Sequence, residues 1–121
     1  LLKEVDFHSM CAHHLMPFRG TAHIGYLPGP QGIVGIGALA RLVECFARRL
    51  QTQERLTSQI ANALEEHLVP MGVGIVIEAD HACMQARGPQ SSATTITSQF
   101  RGELQARSGE FLTLAGVCNG G

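Results

Sequence analysis

Two short groups of cysteine and histidine lie far apart in the sequence. The first contains Cys11, His13 and His14, and the second contains His81 and Cys83. Zinc prefers thiolate and imidazole ligands, and a catalytic zinc has three protein ligands and one open position. The spacing differs from that of a zinc finger, which pairs its ligands at fixed gaps. The pattern therefore favours a zinc site, and leaves a structural or redox role as the alternative.

The order of residues within each group indicates how the side chains would point. Residues i and i+2 of a strand face the same side, so we expect His81 and Cys83 to face one pocket. His13 and His14 are neighbours and should diverge, so that one can bind metal while the other faces a substrate. The histidines interpreted as structural are His8, His23 and His67.

Apolar periodicity predicts the elements that must position these groups. Their order is β-β-α-α-β-β with a small final helix. This order is typical of an α+β fold, with an antiparallel sheet and two helices on one of its faces. In chain order, the predicted elements are an extended segment over Leu1–Met10, a strand over Phe18–Leu27, helices over Ala38–Leu50 and Gln53–Leu68, strands over Val73–Ala79 and Ala93–Phe100, and a helix over Ser108–Ala115.

Composition limits the class of protein. A chain of 121 residues, 45% hydrophobic and 16% charged, fits one globular domain. A net charge of -1 without a basic stripe argues against binding nucleic acid. No apolar run approaches the roughly 20 residues of a membrane span, and no signal peptide is visible at the start. We therefore expect a cytoplasmic protein with thiols rather than disulfides, in which Cys45 is a small buried hydrophobic residue of the first helix.

Four motifs, spread from about Val5 to Leu114, match one known family in the correct order. On these motifs the chain resembles the GTP cyclohydrolase I family. The resemblance implies the tunnelling fold (T-fold), in which subunits pair their sheets into a toroidal homodecamer with active sites between subunits. The motifs are Ser9-Met10-Cys11-x-His13-His14, Gln53-Glu54-Arg55-Leu56-Thr57, His81-x-Cys83-Met84-x-x-Arg87-Gly88 and the stretch Thr94 to Ser98, and Leu39-Ala40-Arg41 also fits.

The resemblance also implies a reaction. GTP and water give 7,8-dihydroneopterin triphosphate and formate, by hydrolysis of the imidazole ring at C8. In the family the residues matching Cys11, His14 and Cys83 bind zinc, which lowers the pKa of bound water to about 7. The residue matching His81 donates and accepts protons at the purine ring, and the one matching His13 assists ring opening. Histidine suits repeated proton transfer because it titrates near neutrality.

Four further residues match substrate-binding positions of the family. Glu54 would grip guanine, because a carboxylate accepts from both N1–H and the 2-amino group and adenine offers neither in that arrangement. Gln53 would contribute to the same pocket, partly through its backbone. Arg41 and Arg87 match phosphate-binding positions, where a guanidinium group suits phosphate. Two alternatives stay open: Glu54 as a carboxylate stabilised by the helix dipole, and Arg41 as an exposed helix arginine.

The sequence departs from the family pattern at three places. Ala12 replaces the usual Glu, Gly37-Ala38 replaces the usual Ser-Lys that contacts the triphosphate, and the helical N-terminal region has no counterpart, as in a trimmed chain or a short family member. The substrate is therefore expected to be GTP bound weakly, or a less phosphorylated or modified guanine nucleotide of a specialised pathway. The competing hypotheses are a catalytically silent zinc- or nucleotide-binding T-fold protein, and another T-fold enzyme such as a pterin synthase or nitrile reductase.

Overall fold

The structure is a computed structural model that describes residues 1–12, 15, 17–30, 32–81 and 94–116, with the backbone alone for His81. Most of the described residues belong to strands and helices. The strands are β1 (Leu2–Cys11), β2 (Pro17–Leu27), β3 (Leu50–Gln51), β4 (Gly72–His81) and β5 (Thr95–Gly102). The α-helices are α1 (Ile36–Ala47), α2 (Gln53–Leu68) and α3 (Ser108–Ala115), and a short 3-10 helix covers Glu103–Gln105.

The strands form one sheet in the order β3-β1-β2-β4-β5. β2 pairs antiparallel with β1 on one side and with β4 on the other, and β5 pairs antiparallel with β4. Because β1 and β4 are both antiparallel to β2, they run in the same direction and end at the same edge of the sheet. β3 pairs in parallel with the last two residues of β1.

The helices α1 and α2 cover one face of the sheet and enclose the main core. Alternate residues of β4 face these helices, as the two-residue period of a strand requires. On α1 and α2, spacings of three and four residues place the buried side chains on one stripe. Burial of each such aliphatic side chain contributes about 1.5–3 kcal/mol to folding. The core includes Phe7, Phe18, Ile24, Leu39, Val43, Leu56, Ile60, Leu64, Val73, Ile75 and Ile77.

The third helix packs on the opposite face, where Val76, Phe111 and Ala115 form a separate buried cluster. Its position depends on Gly25 and Gly74, which face each other in the β2–β4 register. A Cβ at either glycine would lie 2.6 or 2.9 Å from Cε2 of Phe111. The phenylalanine ring therefore uses the space that two side chains would otherwise fill.

The bounds of α2 and α3 are those predicted from the sequence. Thr52 begins α2, since its side chain accepts a 3.2 Å hydrogen bond from the backbone N–H of Arg55. Val69 ends it in the left-handed conformation, with φ of 44° and Pro70 next in the chain. A cap at each end thus coincides with the limits of the apolar pattern.

The first helix differs from the prediction. α1 begins at Ile36 rather than Ala38 and ends at Ala47, and Leu50 lies in β3 with 53% of its surface exposed. The prediction that Cys45 is buried is wrong, because the thiol is exposed. Val43 and Ala47 face the core, and Cys45, two residues from each, is turned about 200° away from them at 3.6 residues per turn.

The predicted α+β class and the order β-β-α-α-β-β are confirmed, with β3 as an additional two-residue strand. In the described part of the chain, none of the helices has the length and apolar character needed to cross a membrane. That the chain forms a single domain stays a prediction.

Candidate active site

The described ends of the two cysteine and histidine groups, Cys11 and the backbone of His81, lie at one edge of the sheet. In the strand register, Ser9 of β1 lies opposite Phe18 of β2, and Phe18 lies opposite His81 of β4. The backbones of Ser9 and His81 are therefore two strand spacings apart, roughly 10 Å. Since β1 continues to Cys11, the topology brings the ends of both groups to the same part of the molecule.

Cys11 is the last residue of β1, and its free thiol is buried. The carbonyl of Cys11 accepts a 2.9 Å hydrogen bond from the backbone N–H of Leu15. A second backbone hydrogen bond, 2.8 Å long, runs from the N–H of Ala12 to the carbonyl of Gln51. The thiol of Cys11 is thus held at a strand end by neighbouring backbone bonds, and its role as a zinc ligand stays a prediction.

The first turn of α2 is fixed onto β4 and β5 near the same edge. Gln53 is buried, and its Nε2 donates to the carbonyls of Ile77 at 3.1 Å and Thr95 at 2.9 Å. The same nitrogen lies 3.2 Å from Oγ1 of Thr97, which also bonds Oγ1 of Thr57 at 2.8 Å. Because the amide nitrogen is committed to these acceptors, the side chain of Gln53 ties the helix to the sheet.

Glu54 follows Gln53 in the first turn of α2 and is exposed. A carboxylate at this position is stabilised by the helix dipole, as one of the two interpretations requires. Its exposure also leaves it available to a ligand at this edge of the sheet. The arrangement supports both interpretations, and a role in guanine recognition stays a prediction.

Arg41 is exposed on α1. Its Nη1 lies 3.5 Å from the position that a Cβ on Gly37 would occupy, so the guanidinium folds back towards the first turn of the helix. The described contacts do not join Arg41 to Cys11 or Glu54. This placement fits an exposed helix arginine, and phosphate binding by Arg41 stays a prediction.

The remaining predicted site residues cannot be placed. The side chain of His81 lies outside the described part of the structure, as do His13, His14, Cys83 and Arg87. Among the residues that are described, no three His, Cys, Asp or Glu side chains are close enough together to bind a metal ion. The donor set of two thiols and one imidazole suits zinc, and the free, buried Cys11 is compatible with such a site.

A buried glutamine beside Cys11 was not predicted from the sequence. Gln51 is 1% exposed and pairs with Cys11 in the parallel β1–β3 register. Its Nε2 donates to the carbonyl of Phe46 and to Oε1 of Gln59. A polar residue between two predicted helices is typical of an exposed loop, so no local signal in the sequence indicates this burial.

A shallow cavity of about 360 Å³ lies on the opposite face, between Asp6, Arg19 and Asp80. The described residues that line it include none of the predicted site residues. On the same face His23 is 2% exposed, accepts from the backbone N–H of Glu4 at 3.2 Å and bonds Glu78 at 2.9 Å. Its structural interpretation fits these contacts, and we assign the candidate site to the Cys11 edge instead.

The sequence model of the GTP cyclohydrolase I family matches residues 1–115. The chain belongs to the GTP cyclohydrolase I family. It is 53% identical over 106 residues to the GTP cyclohydrolase 1 of Bifidobacterium longum, covering 87% of this chain and 53% of that protein. It is 54% identical over 119 residues to that of Rattus norvegicus, covering 94% and 48%. The chain therefore spans about half the length of the curated relatives it matches.

Among solved structures, the archaeosine synthase QueF-Like in the apo form is similar, with a TM-score of 0.63. The match has 13% sequence identity and covers 80% of this chain and 87% of that one. At this identity the likeness shows the fold alone, and it agrees with the T-fold expected from the sequence.

In this member of the GTP cyclohydrolase I family, Gly37 and Ala38 lie in the first turn of α1. Gly35 caps the helix without a side-chain hydrogen bond, and the first turn has no acidic residue. Ile36, 69% exposed, is the large side chain at this helix start. The turn therefore offers no side-chain ammonium or hydroxyl group to a phosphate.

Proposed function

We propose that the protein is a zinc-dependent GTP cyclohydrolase I-type hydrolase. It opens the imidazole ring of a guanine nucleotide at C8 and releases C8 as formate, and with GTP it forms 7,8-dihydroneopterin triphosphate. One observation carries the proposal: the sheet brings the end of β1 with Cys11, the end of β4 with His81 and the start of α2 with Glu54 to one edge. Membership of the family supports the same reaction.

Cys11, His14 and Cys83 would hold the zinc ion. When bound, zinc supplies a Lewis acid that makes water a better nucleophile near neutral pH. His81 donates a proton to N7 of the purine, which makes C8 more electrophilic, and accepts it back later. Water adds to C8, the bond between C8 and one ring nitrogen breaks with His13 assisting, and a second hydrolysis frees formate.

Glu54 would recognise the guanine base by accepting hydrogen bonds from N1–H and the 2-amino group. Gln53 holds the first turn of α2 on the sheet, which keeps the Glu54 backbone in place for this contact. Arg41 and Arg87 would bind the phosphates. An adenine nucleotide would leave the carboxylate without its donors, so strong discrimination against adenine follows.

The active form would be a homo-oligomer, in this family a toroidal decamer with sites between subunits. The sheet supports this arrangement, because β5 pairs with β4 on one side and with no strand of the described chain on the other. An open edge of this kind is a template for pairing with another chain. A partner subunit would also bring phosphate-binding groups that the described contacts do not provide near Cys11.

The test follows formate and pterin absorbance together, using zinc-loaded protein and GTP. We expect both products from the wild type and a loss of roughly 100-fold or more in rate for His81→Ala, the scale of general acid–base catalysis. His8→Ala is the matched control, because His8 is an exposed histidine of β1. Formate without pterin would limit the activity to ring opening. If the wild type forms no product from GTP, GTP is not the substrate, and if it also forms none from GDP, GMP or guanosine, the proposal is refuted.

A second candidate is the same ring opening on a less phosphorylated or modified guanine nucleotide. The first turn of α1 favours it, because Gly37 and Ala38 present no group that binds phosphate through a side chain. We expect turnover of GDP, GMP or guanosine to approach or exceed that of GTP. A strict requirement for the triphosphate would eliminate this candidate and leave GTP as the substrate.

A further inference from the structure

Gln51 combines deep burial with an unused acceptor. Its side chain is buried, and Nε2 donates to the carbonyl of Phe46 at 2.9 Å and to Oε1 of Gln59 at 2.8 Å. The other end of the amide, Oε1, is buried and has no hydrogen-bond partner among the described residues. Most buried side-chain acceptors in native proteins are paired, so an exception calls for an explanation.

The orientation of the amide is fixed by its neighbours. If the oxygen and nitrogen were exchanged, Oε1 would face the carbonyl oxygen of Phe46, and two acceptors would be in contact. The nitrogen must therefore point to the end of α1, and the oxygen must point away from it. Flipping the amide of Gln51 therefore cannot give its oxygen a hydrogen-bond partner.

Gln51 also holds the chain at Cys11. The two residues are partners in the parallel β1–β3 pairing, and the carbonyl of Gln51 accepts the N–H of Ala12 at 2.8 Å. Through its side chain the same residue is bonded to α1 and α2. The spare acceptor thus belongs to the residue that fixes the end of β1 against both helices.

We propose that Gln51 is a positioning residue of the zinc site, and that its Oε1 accepts the N–H of the zinc-bound imidazole. A histidine that binds a metal almost always donates its other ring N–H to an oxygen, which fixes the tautomer and the orientation of the ring. The sequence supplies such a histidine at His14, three residues after Cys11. Ala12 has no carboxylate for this purpose, whereas the amide oxygen of Gln51 does the same without adding a charge. The inference rests on the proposed function.

Zinc affinity, measured by competition with a chelator on the purified full chain, tests the role without depending on turnover. We expect Gln51→Met to weaken zinc binding roughly 10- to 100-fold, the usual effect of losing a partner of a metal ligand. Gln59→Met is the matched control, because it removes one partner of Nε2 and leaves Oε1 of Gln51 intact. We expect its zinc affinity to equal that of the wild type.

Gln51→Glu separates an acceptor from a structural anchor. Glutamate retains an oxygen for the imidazole N–H but loses the donor that holds α1 and α2. We expect Gln51→Glu to bind zinc as tightly as the wild type or more tightly, although its unfolding midpoint falls. If a folded Gln51→Glu loses zinc affinity, the acceptor role is wrong, and this holds even where Gln51→Met fails to fold.

The outcomes separate this inference from the proposed function. A wild type that binds zinc and releases formate, with Gln51→Met unchanged in zinc affinity, overturns the role of Gln51 and leaves the enzyme intact. Equal weakening in Gln51→Met and Gln59→Met also overturns it, since the effect would then come from the anchor. A wild type that binds no zinc overturns both.

Discussion

The two faces of the sheet are built differently. The face under α1 and α2 is mainly apolar along β2 and β4, where Ala22, Ile24, Ile75 and Ile77 are completely buried. Polar contacts on this face join the start of α2 to β5, as between Thr57 and Thr97. The opposite face has one apolar cluster under α3, around Val76. Outside this cluster the face is exposed to solvent in part, as at Ile96, and has a shallow cavity bordered by acidic and basic side chains on β1, β2 and β4.

This difference separates the residues that stabilise the fold from the residues of the candidate site. The free energy of folding comes mainly from the helix-covered face, because its side chains are enclosed between the sheet and the two helices and are removed from water. The candidate site lies at the edge of that face, where β1 and β4 end and α2 begins. A rigid core thus ends directly beside residues that must be held in place, which is how a scaffold positions a reactive group.

The largest effect is expected from the covered face. Ile77→Ala removes a completely buried side chain between the sheet and α2, and should lower the free energy of unfolding by about 2–5 kcal/mol. Ile96→Ala is the control, because Ile96 lies on β5 opposite Glu78 and is 46% exposed. Its effect should stay within about 0.5 kcal/mol. Denaturant unfolding measures both, and equal losses would contradict the contrast between the faces.

The second prediction concerns the glycine slot under α3, which is the space beside Gly25 and Gly74 that the ring of Phe111 fills. In Gly74→Ala the new Cβ would lie 2.9–3.0 Å from the ring of Phe111 and 3.2 Å from Cδ1 of Phe100. The strain should lower stability by about 1–3 kcal/mol, the usual range for overpacking. Hydrogen exchange should quicken in α3 before it does in α1 and α2, because α3 is the one of these three helices that the new Cβ contacts.

Gly37→Ala is the matched comparison for the glycine slot. Its Cβ would meet only the flexible end of Arg41, at 3.5 Å. In a helix, alanine is favoured over glycine by about 0.5–1 kcal/mol, so stability should be unchanged or rise. A loss in both variants would mean that the packing of Phe111 is not the cause.

The third prediction concerns the polar part of the open face. Nδ1 of His23 accepts from the N–H of Glu4, so the ring proton lies on Nε2 and is donated to Glu78. Glu78→Leu leaves a buried donor without its acceptor and should cost about 1–3 kcal/mol. Glu78→Gln should stay close to the wild type, because an amide oxygen accepts from a neutral imidazole. Thermal unfolding measures the stability of both variants. If Glu78→Leu and Glu78→Gln lose the same stability, the charge of Glu78 rather than its hydrogen bond to His23 stabilises the fold.

Elements with a local signal were predictable from the sequence. α2 has the predicted bounds because its apolar stripe lies between the capping residues Thr52 and Val69. α3 also has the predicted bounds, with Gly116 in the left-handed conformation at its end but no side-chain cap at its start. β3 was not predictable, since two residues have no periodicity and pair only with the end of β1, far away in the sequence. The predicted start of α1 was two residues late, because Ile36 and Gly37, which precede Ala38, show no polar signal for a helix start.

The candidate site divides in the same way. Residue types alone indicated a zinc chemistry at Cys11, and the strand register brings His81 to the same edge. The buried positions of Gln51 and Gln53 were not predictable, because each depends on carbonyl groups supplied by distant elements. Tertiary acceptors leave no trace in the neighbouring sequence, so polar residues that position a site are harder to find than those that react.

The smallest effect is expected at the surface of α3, where Arg107 and Glu110 form two 3.1 Å hydrogen bonds. The hydrogen bond and then the charge of Arg107 lower the pKa of Glu110 from its usual value. The pairing therefore contributes at pH values above the usual carboxyl range, and its contribution is lost as the pH falls through the lowered pKa. Because both side chains are exposed, Glu110→Gln should change the unfolding midpoint only slightly, and added salt should reduce the difference further. An effect as large as that of Gly74→Ala would show that charge at the start of α3, rather than the ring of Phe111 in its glycine slot, holds the third helix on the sheet.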